Sequence, residues 1–512
     1  MKLQKLLEAV DVLDSIYAGN IKISGLAYHS GRVQPGNLFV CIRGYKTDGH
    51  LFLDQARENG AVAAVVEEFR KDLAIPQYQV ADSRRALAAL TDKYYDHPSK
   101  KFNLTGVTAT NGKTTTTYMI NAIFEEYGFN TGLVGTVIVK TGKTIRAAEL
   151  TTPESLDLHG YFNEMVEQKV THAVMEVSSS GLELKRVGSV DFNTIVINNI
   201  SREHIDLHGS FEAYFKAKSS LAREATEAQF AVFNMDCPYT ASLVGETKAK
   251  TFTYGIKNRD ADCLVHELDL STGRACFIVE VKNQEETKPL HVKPETFAIE
   301  LSVLGLHSVY NAMAAILVAL LQDIPVPVIQ SALKNFRGVE RRFELIFEDD
   351  FKVIDDHFAN SGNIHVTLET LQMMDYKKLH LVYAIRGSRG VTVNRENAEA
   401  IVHWAKLLNL DHVIATTSCD FVGEKDLVTH EERDVYRQVM SEAGIETVIH
   451  DNLSEAIAQG LEETNPGDIL LLAGCQGMDY GASVCLNQIH QLRPDLPELK
   501  VFAALKNRVA GI

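Results

Sequence analysis

The 512-residue sequence has no run of 18 apolar residues, so it predicts no membrane-spanning helix. It also has no C-x-x-C pair: Cys41, Cys237, Cys263, Cys276, Cys419, Cys475 and Cys485 are scattered along the chain. That spacing argues against a disulfide framework and a cysteine-ligated zinc site, and predicts a reduced, cytoplasmic chain. Positive charge is in deficit, with 51 Lys and Arg against 67 Asp and Glu and a net charge of −16. Nucleic acid and anionic membranes are therefore not expected as partners, although a local basic pocket for phosphates is still allowed. The segment Met1 to Ala9 alternates Lys and Leu like an amphipathic helix and lacks the apolar core of a signal peptide. No internal repeat, low-complexity tract or coiled-coil heptad is present.

What is present is core-forming material, 45% apolar and 23% charged, in an amount that suits about three domains. Residues 1–99 hold short apolar runs at Leu38–Ile42 and Ala61–Val66 and a helical pattern at Leu51–Asn59, closed by a polar linker at 96–101. Residues 100–337 alternate strands (Leu104–Thr108, His172–Val177, Thr194–Ile197, Gln229–Asn234) with helices (Thr114–Tyr127, Ser155–Gln168, Phe211–Glu224, Ser308–Leu321). An antiparallel insertion is expected from Asp260 to Pro294, including the strand Ala275–Val281. Residues 338–512 resume the alternation, with strands at Leu379–Ala384, His412–Thr416, Glu446–His450 and Ile469–Ala473 and helices at Asn394–Leu408 and Leu453–Thr464. The predicted fold class is α/β: a small α/β domain, a central domain with a mostly parallel sheet, and a doubly wound C-terminal domain.

The most informative stretch is Gly106 to Thr117, G-V-T-A-T-N-G-K-T-T-T-T, between an apolar strand and a helix start. Backbone N–H groups of such a loop and the helix N-terminus face a phosphate, Lys113 adds a point charge, and Thr114 can hold Mg²⁺. The strict P-loop pattern has glycine at 107, where Val107 stands, and Gly106 is one residue early. Glu176 closes a strand beside this loop, where open α/β sheets bind ligands. It reads either as a Mg²⁺ ligand or as an exposed strand-end carboxylate. The polar run from Asn198 to Gly209 (N-N-I-S-R-E-H-I-D-L-H-G) follows another strand and is denser than a plain connector requires. Lys218 and Lys216 on the next helix read, from the residues alone, as a solvated face. Thr152 before Pro153 reads as a helix cap.

These pieces stand in the order found in the Mur ligase family, which the chain resembles over its whole length. The family's T-G-T-N-G-K-T-T appears as Thr108 to Thr115, its T-T-P-E-S-L as Thr151 to Leu156, and its E-V-S-S-H-x-L as Glu176 to Leu182, followed by Arg186 and Val187. Its T-N-L-x-x-D-H-L-D-x-H-G is similar to the stretch ending at Gly209, and its Y-x-x-A-K places a carbamylated lysine at Lys218. In the first domain, Tyr28 to Val40 resembles Y-D-S-R-x-V-x-P-G-D-L-F-V, keeping Ser30 but with His29 and Gly31 for the family's Asp and Arg.

The resemblance implies an ATP-dependent, ADP-forming amide ligase that works through an acyl phosphate. The nearest likeness is to the branch that adds an amino acid to UDP-N-acetylmuramoyl-L-alanyl-D-glutamate, in peptidoglycan synthesis, cell wall biogenesis, cell shape and division. It implies catalytic roles for Lys113, Lys218 and His204. It implies nucleotide contacts from Thr110, Asn111, Gly112, Lys113, Thr114, Thr115, Asn311, Arg342 and Asp355. Substrate contacts are implied for Ser30, Thr151, Thr152, Ser179 and Arg186, and Mg²⁺ ligation for Thr114, Glu176 and Lys218. The partners expected are small molecules, a UDP-linked muramoyl dipeptide or another carboxylate plus an amine, and the chain is expected to be a monomer.

Three departures bear on these expectations. Ala109 replaces a P-loop glycine, and Ser180 replaces the histidine that helps ligate a second Mg²⁺, so one metal site is expected. Most C-terminal markers are altered: the G-R-[MF]-E hinge is Arg341 to Glu344, D-Y-A-H-T-P is Asp355 to Asn360, and G-K-G-H-E is Gly474 to Met478. The diaminopimelate marker D-N-P-R is missing near Ser418-Cys419-Asp420. Two further readings therefore stand beside the first: a ligase of this type acting on another carboxylate, including intramolecular lactam formation, and a non-catalytic nucleotide-binding regulator.

Overall fold

The protein, seen in a computed structural model, is described for residues 1–17, 19–44, 47–201, 208–282, 292–506 and 508. It divides into two compact units, Met1–Lys113 with Phe124–Thr253, and Thr114–Ile123 with Tyr254–Ile512.

The first unit carries two sheets. In the N-terminal one the strands run in the order Asp14–Ile16, Gln77–Gln79, Ala63–Val66, Asn37–Val40, Gly25–Ala27. All neighbours are parallel except Asp14–Ile16, which pairs antiparallel with Gln77–Gln79. In the central one Phe230–Asn234, Thr194–Ile197, Asn103–Thr108, His172–Glu176 and Thr131–Val134 lie parallel in that order. The hairpin Ile138–Thr141 and Thr144–Ala147 extends it antiparallel. Parallel strands covered on both faces need unbroken apolar runs, and Leu104, Val107, Val174, Met175, Val196 and Ile197 are all buried. Gly106 is required inside its strand because a Cβ there would lie 2.6 Å from the Phe192 ring.

In the second unit the antiparallel ribbon Cys263–Asp269, Arg274–Val281, Glu295–Leu304 matches the expected insertion. A six-stranded sheet follows in the order Glu344–Glu348, Lys352–Asp356, Ile469–Gly474, Leu379–Ala384, His412–Thr416, Glu446–His450. Its first pair is antiparallel and the rest are parallel. Ile364, Leu368, Ile401, Tyr436 and Met440 bring the helices Ser361–Gln372, Val391–Ala405 and His430–Glu442 into one core cluster. Ile457, Leu461, Cys485 and Leu486 bring Leu453–Glu463 and Gly481–Leu492 into the other. The sheet is thus wound on both faces, as expected.

Three expectations change. The linker at 96–101 is a tight corner, with Asp96 and His97 at φ 59° and 52° leading into the 3-10 turn Pro98–Lys101. The helix expected from Asn394 begins one turn earlier, at Val391, because Gly390 at φ 85° starts it. The helix after Pro153 starts at Ser155 with Glu154 at its cap, so Thr152 is not the capping residue. Among the described residues no helix is long and apolar enough to cross a membrane.

Candidate functional site

In the first unit the strand Asn103–Thr108 ends in the loop 109–112, where Gly112 takes φ 91°, a conformation suited to glycine. The loop is stapled from the neighbouring strand end. The Asn199 side chain accepts from Asn111 N–H at 2.9 Å and donates to Asn111 C=O at 2.8 Å, while Thr110 N–H donates to Asn199 C=O at 2.8 Å. Thr110 Oγ1 accepts from Ser201 N–H at 2.9 Å and meets Tyr214 OH at 2.9 Å. The Asn198 stretch therefore serves first as scaffold for the loop. His204 lies outside the described residues.

Three charged side chains converge on or beside this loop. Lys113 Nζ donates to the carbonyls of Ala109 at 2.9 Å and Thr110 at 3.1 Å. Lys218, on the helix Phe211–Arg223, is 1% exposed and donates to Ala109 C=O at 2.7 Å and Thr108 Oγ1 at 3.1 Å, with Nζ 5.2 Å from the Tyr214 ring centre. The solvated-face reading of Lys218 is overturned: it shares the buried stripe of Tyr214, Leu221 and Ala222. Glu176 closes the strand His172–Glu176 fully buried, which removes its exposed reading. Its carboxylate accepts from Thr136 N–H at 2.7 Å and Thr136 Oγ1 at 3.0 Å.

The substrate candidates line the next loops. Thr152 Oγ1 donates to Glu176 C=O at 2.9 Å and accepts from Ser178 N–H at 2.9 Å, holding the loop after the strand in place. Thr151 Oγ1 meets Thr136 Oγ1 at 3.1 Å, and Ser179 Oγ meets His208 Nε2 at 3.0 Å. Arg186 pairs with Glu154 at 2.9 Å and donates to Thr152 C=O at 3.0 Å; Arg84 pairs with the same carboxylate at 3.2 Å. Two guanidinium groups against one carboxylate leave positive charge in excess, which suits an anionic substrate. Ser30, 8% exposed, donates to Gln55 Oε1 at 2.7 Å some distance away along the chain. The sequence passes over Thr136 and Arg84 and singles out the stretches that hold Asn199 and Glu154 without giving either residue a role; their partners lie between 32 and 88 residues away.

In the second unit Thr114 is 7% exposed and its carbonyl accepts from Thr117 Oγ1 at 2.8 Å; Thr115 is half-buried on the same helix. Thr116 Oγ1 donates to Asn311 Oδ1 at 3.2 Å. Asp355 is fully buried, paired with Arg508 and 3.5 Å from Arg341 Nε. Arg342 is half-buried near His357, whose pKa is held well below the usual value, first by burial and then by the charges of Arg342, Arg341 and Arg386.

Among the described residues no group of three or more His, Cys, Asp and Glu gathers to hold a metal. Mg²⁺, which takes one or two carboxylates with phosphate oxygens and waters, fits a buried Glu176 held by two donors.

Three family models match the chain in succession. Residues 22–95 match the Mur ligase family catalytic domain, 107–319 the Mur ligase middle domain, and 341–476 the Mur ligase glutamate ligase domain. The UDP-N-acetylmuramoyl-L-alanyl-D-glutamate--2,6-diaminopimelate ligase of Syntrophomonas wolfei is 38% identical over 372 residues, 72% of this chain and 74% of that protein. The ligase of the same name from Geobacillus thermodenitrificans is 34% identical over 93% of this chain and 94% of its own length. A solved structure of a ligase with that name superposes with a TM-score of 0.65 at 24% identity, covering 94% of this chain and 95% of that one. MurF from Acinetobacter baumannii superposes with a TM-score of 0.65 at 20% identity, covering 97% of this chain and 98% of its own, which shows the shared fold. With relatives this similar across nearly its full length, the chain belongs to the Mur ligase family.

Proposed function

We propose that the chain is an ATP-dependent ligase that extends UDP-N-acetylmuramoyl-L-alanyl-D-glutamate by one amino acid through an acyl phosphate. The observation that carries this reading is the convergence of Lys113 and Lys218 on the carbonyl of Ala109 in a glycine-turned loop. Joining a carboxylate to an amine in water is uphill, and phosphorylation of the carboxylate by ATP makes it electrophilic. Two anions must then meet, so positive charge and N–H donors have to be fixed in advance.

In this reading Thr110, Asn111, Gly112, Lys113, Thr114 and Thr115 hold the phosphates, and Asn311, Arg342 and Asp355 complete the nucleotide contacts. Glu176, Thr114 and Lys218 would hold Mg²⁺, which supplies charge neutralisation between the anions. A free ammonium at Lys218 opposes a cation at that place; carbamylation by CO₂ converts it into an anionic oxygen ligand. His204 orients the reacting phosphate. Thr151, Thr152, Ser179 and Arg186 take the peptide end of the substrate, and Ser30 its uridine end. The reading places the chain as a cytoplasmic monomer in peptidoglycan precursor synthesis, with consequences for cell shape and division.

The test is phosphate release with the UDP-muramoyl dipeptide against a panel of amines that includes 2,6-diaminopimelate. No stimulation by any amine, with the protein folded and ATP bound, sinks the proposal. A second reading, action on another carboxylate, is favoured by the altered C-terminal motifs at Arg341 to Glu344, Asp355 to Asn360 and Gly474 to Met478. In that case the dipeptide neither binds nor stimulates turnover.

A further inference from the structure

The short helix Ser179–Glu183 and His208 bring together three side chains to which no role has been given as a set. Glu183 Oε2 lies 3.2 Å from His208 Nδ1, and His208 Nε2 lies 3.0 Å from Ser179 Oγ. The His208 side chain is 1% exposed and Glu183 41%, so the imidazole is enclosed while the carboxylate opens to solvent. The Glu183 carboxylate, a charge neighbour of Nδ1 and not an aligned hydrogen-bond partner, favours the tautomer that carries its proton on Nδ1. Nε2 is then an acceptor, and Ser179 donates its hydroxyl proton to it. This is the connectivity of an acid–imidazole–hydroxyl relay, defined by geometry and independent of chain order.

Its place is also defined. The His208 ring meets the Tyr214 ring edge-on at 5.3 Å, and Tyr214 OH bonds Thr110 in the phosphate loop at 2.9 Å. Ser179 follows Ser178, whose N–H is held by Thr152. The relay therefore lies between the loop assigned to phosphates and the loop assigned to the substrate's peptide end.

We propose that Ser179, His208 and Glu183 form a proton relay that takes a proton from the incoming amine; this rests on the ligase function proposed above. An amino acid arrives as an ammonium ion and leaves as an amide N–H, so it sheds two protons. As nitrogen bonds to the acyl carbon, the carbon–oxygen bond to phosphate breaks. One proton leaves with the phosphate as HPO₄²⁻. The other passes to Ser179 Oγ as the Ser179 proton moves to His208 Nε2, and the imidazolium is held by Glu183 until it loses the proton to water. Ser179, at the peptide end of the substrate whose carboxylate is activated, also meets the amine as it attacks there, and His208 and Glu183 act through Ser179.

Hydroxylamine separates this role from a structural one. It intercepts an acyl phosphate as a hydroxamate, and its weakly basic nitrogen is already unprotonated at neutral pH. With UDP-N-acetylmuramoyl-L-alanyl-D-glutamate and ATP, His208→Ala is expected to lower amide formation with 2,6-diaminopimelate, or with whichever amine the unaltered protein uses, by roughly a hundredfold. Hydroxamate formation should stay within about threefold of the unaltered protein. Glu183→Gln, at an exposed position, should show the same split at smaller amplitude, and it decides the matter alone if the histidine variant does not fold. Equal loss of both products in folded protein that still binds ATP overturns the relay, as does retention of both. No hydroxamate from the unaltered protein refutes the ligase reading itself, a separate outcome.

Discussion

The Glu176 carboxylate is bound twice by one residue, from the Thr136 backbone N–H at 2.7 Å and from its hydroxyl at 3.0 Å. Gly135 permits the approach, since a Cβ there would lie 2.5 Å from Glu176 Oε1. In the proposed function, a carboxylate aimed in this way stands ready as the cation ligand. Thr136→Val keeps the backbone donor and removes the other, and is expected to raise the Mg²⁺ concentration for half-maximal phosphate release by roughly tenfold or more. Gly135→Ala should do more damage, because the carboxylate must move. Unchanged Mg²⁺ dependence in both variants would remove Glu176 from the metal site.

Lys218 offers a sharper test of the activation chemistry. Lys218→Ala removes the donors to Ala109 C=O and Thr108 Oγ1, and turnover should vanish. A short carboxylate such as formate should restore part of it by supplying the anionic oxygen that the proposed carbamate would provide. Full activity of the variant rules out the carbamate, and loss of folding would show as a lost thermal transition.

How far the sequence reached is clearest at particular residues. The strands Thr194–Ile197, Leu379–Ala384 and His412–Thr416 were read to the residue, because a buried strand is a bounded apolar run; the half-buried edge strand Glu446–His450 was read to the residue as well. Helices Ser361–Gln372, His430–Glu442 and Gly481–Leu492 were not read; several of their inward positions are small or polar, such as Thr367, Thr370 and Ala482. Thr152 carries a local cap signal, yet its hydroxyl goes to Glu176 and Ser178, 24 and 26 residues on. No local pattern encodes that choice. Lys218 was legible in principle, since Tyr214, Lys218, Leu221 and Ala222 recur at helical spacing on one buried face. Partnerships such as Asn199 with Asn111, 88 residues apart, depend on strand order and so on the fold.

In the second unit, Arg508 reaches back into the core, where its side chain is 1% exposed against a fully buried Asp355 and lies 3.3 Å from Glu344. Burial pushes the Glu344 carboxyl up to about 7, even with Arg508 beside it. Removing one member of such a cluster leaves a buried charge uncompensated, so Arg508→Ala should cost about 3–5 kcal/mol in urea unfolding. Arg508→Met combined with Asp355→Asn should recover most of that loss. A single-variant loss below about 1 kcal/mol would show the pair to be solvated.

His307 gives the same unit an acid-sensitive element. It stands in the first turn of the helix Leu306–Leu320, with Nδ1 3.3 Å from Thr370 Oγ1 and its ring edge-on to Phe343 at 5.7 Å. Gly305 at φ 92° brings the chain against it, and a Cβ there would lie 2.7 Å from the imidazole. The ring keeps some exposed edge, but burial pushes its pKa down from 6.5 to about 4. The unfolded chain therefore binds a proton between those values that the folded one does not, and the contribution to stability, full above pH 6.5, is lost as pH falls towards 4. Protection factors of the helix amides, which remove the intrinsic slowing of exchange at lower pH, should fall over that window in the unaltered protein. In His307→Gln, which has no titrating group there, the fall should be smaller. Equal pH dependence in the two proteins would place the acid sensitivity elsewhere.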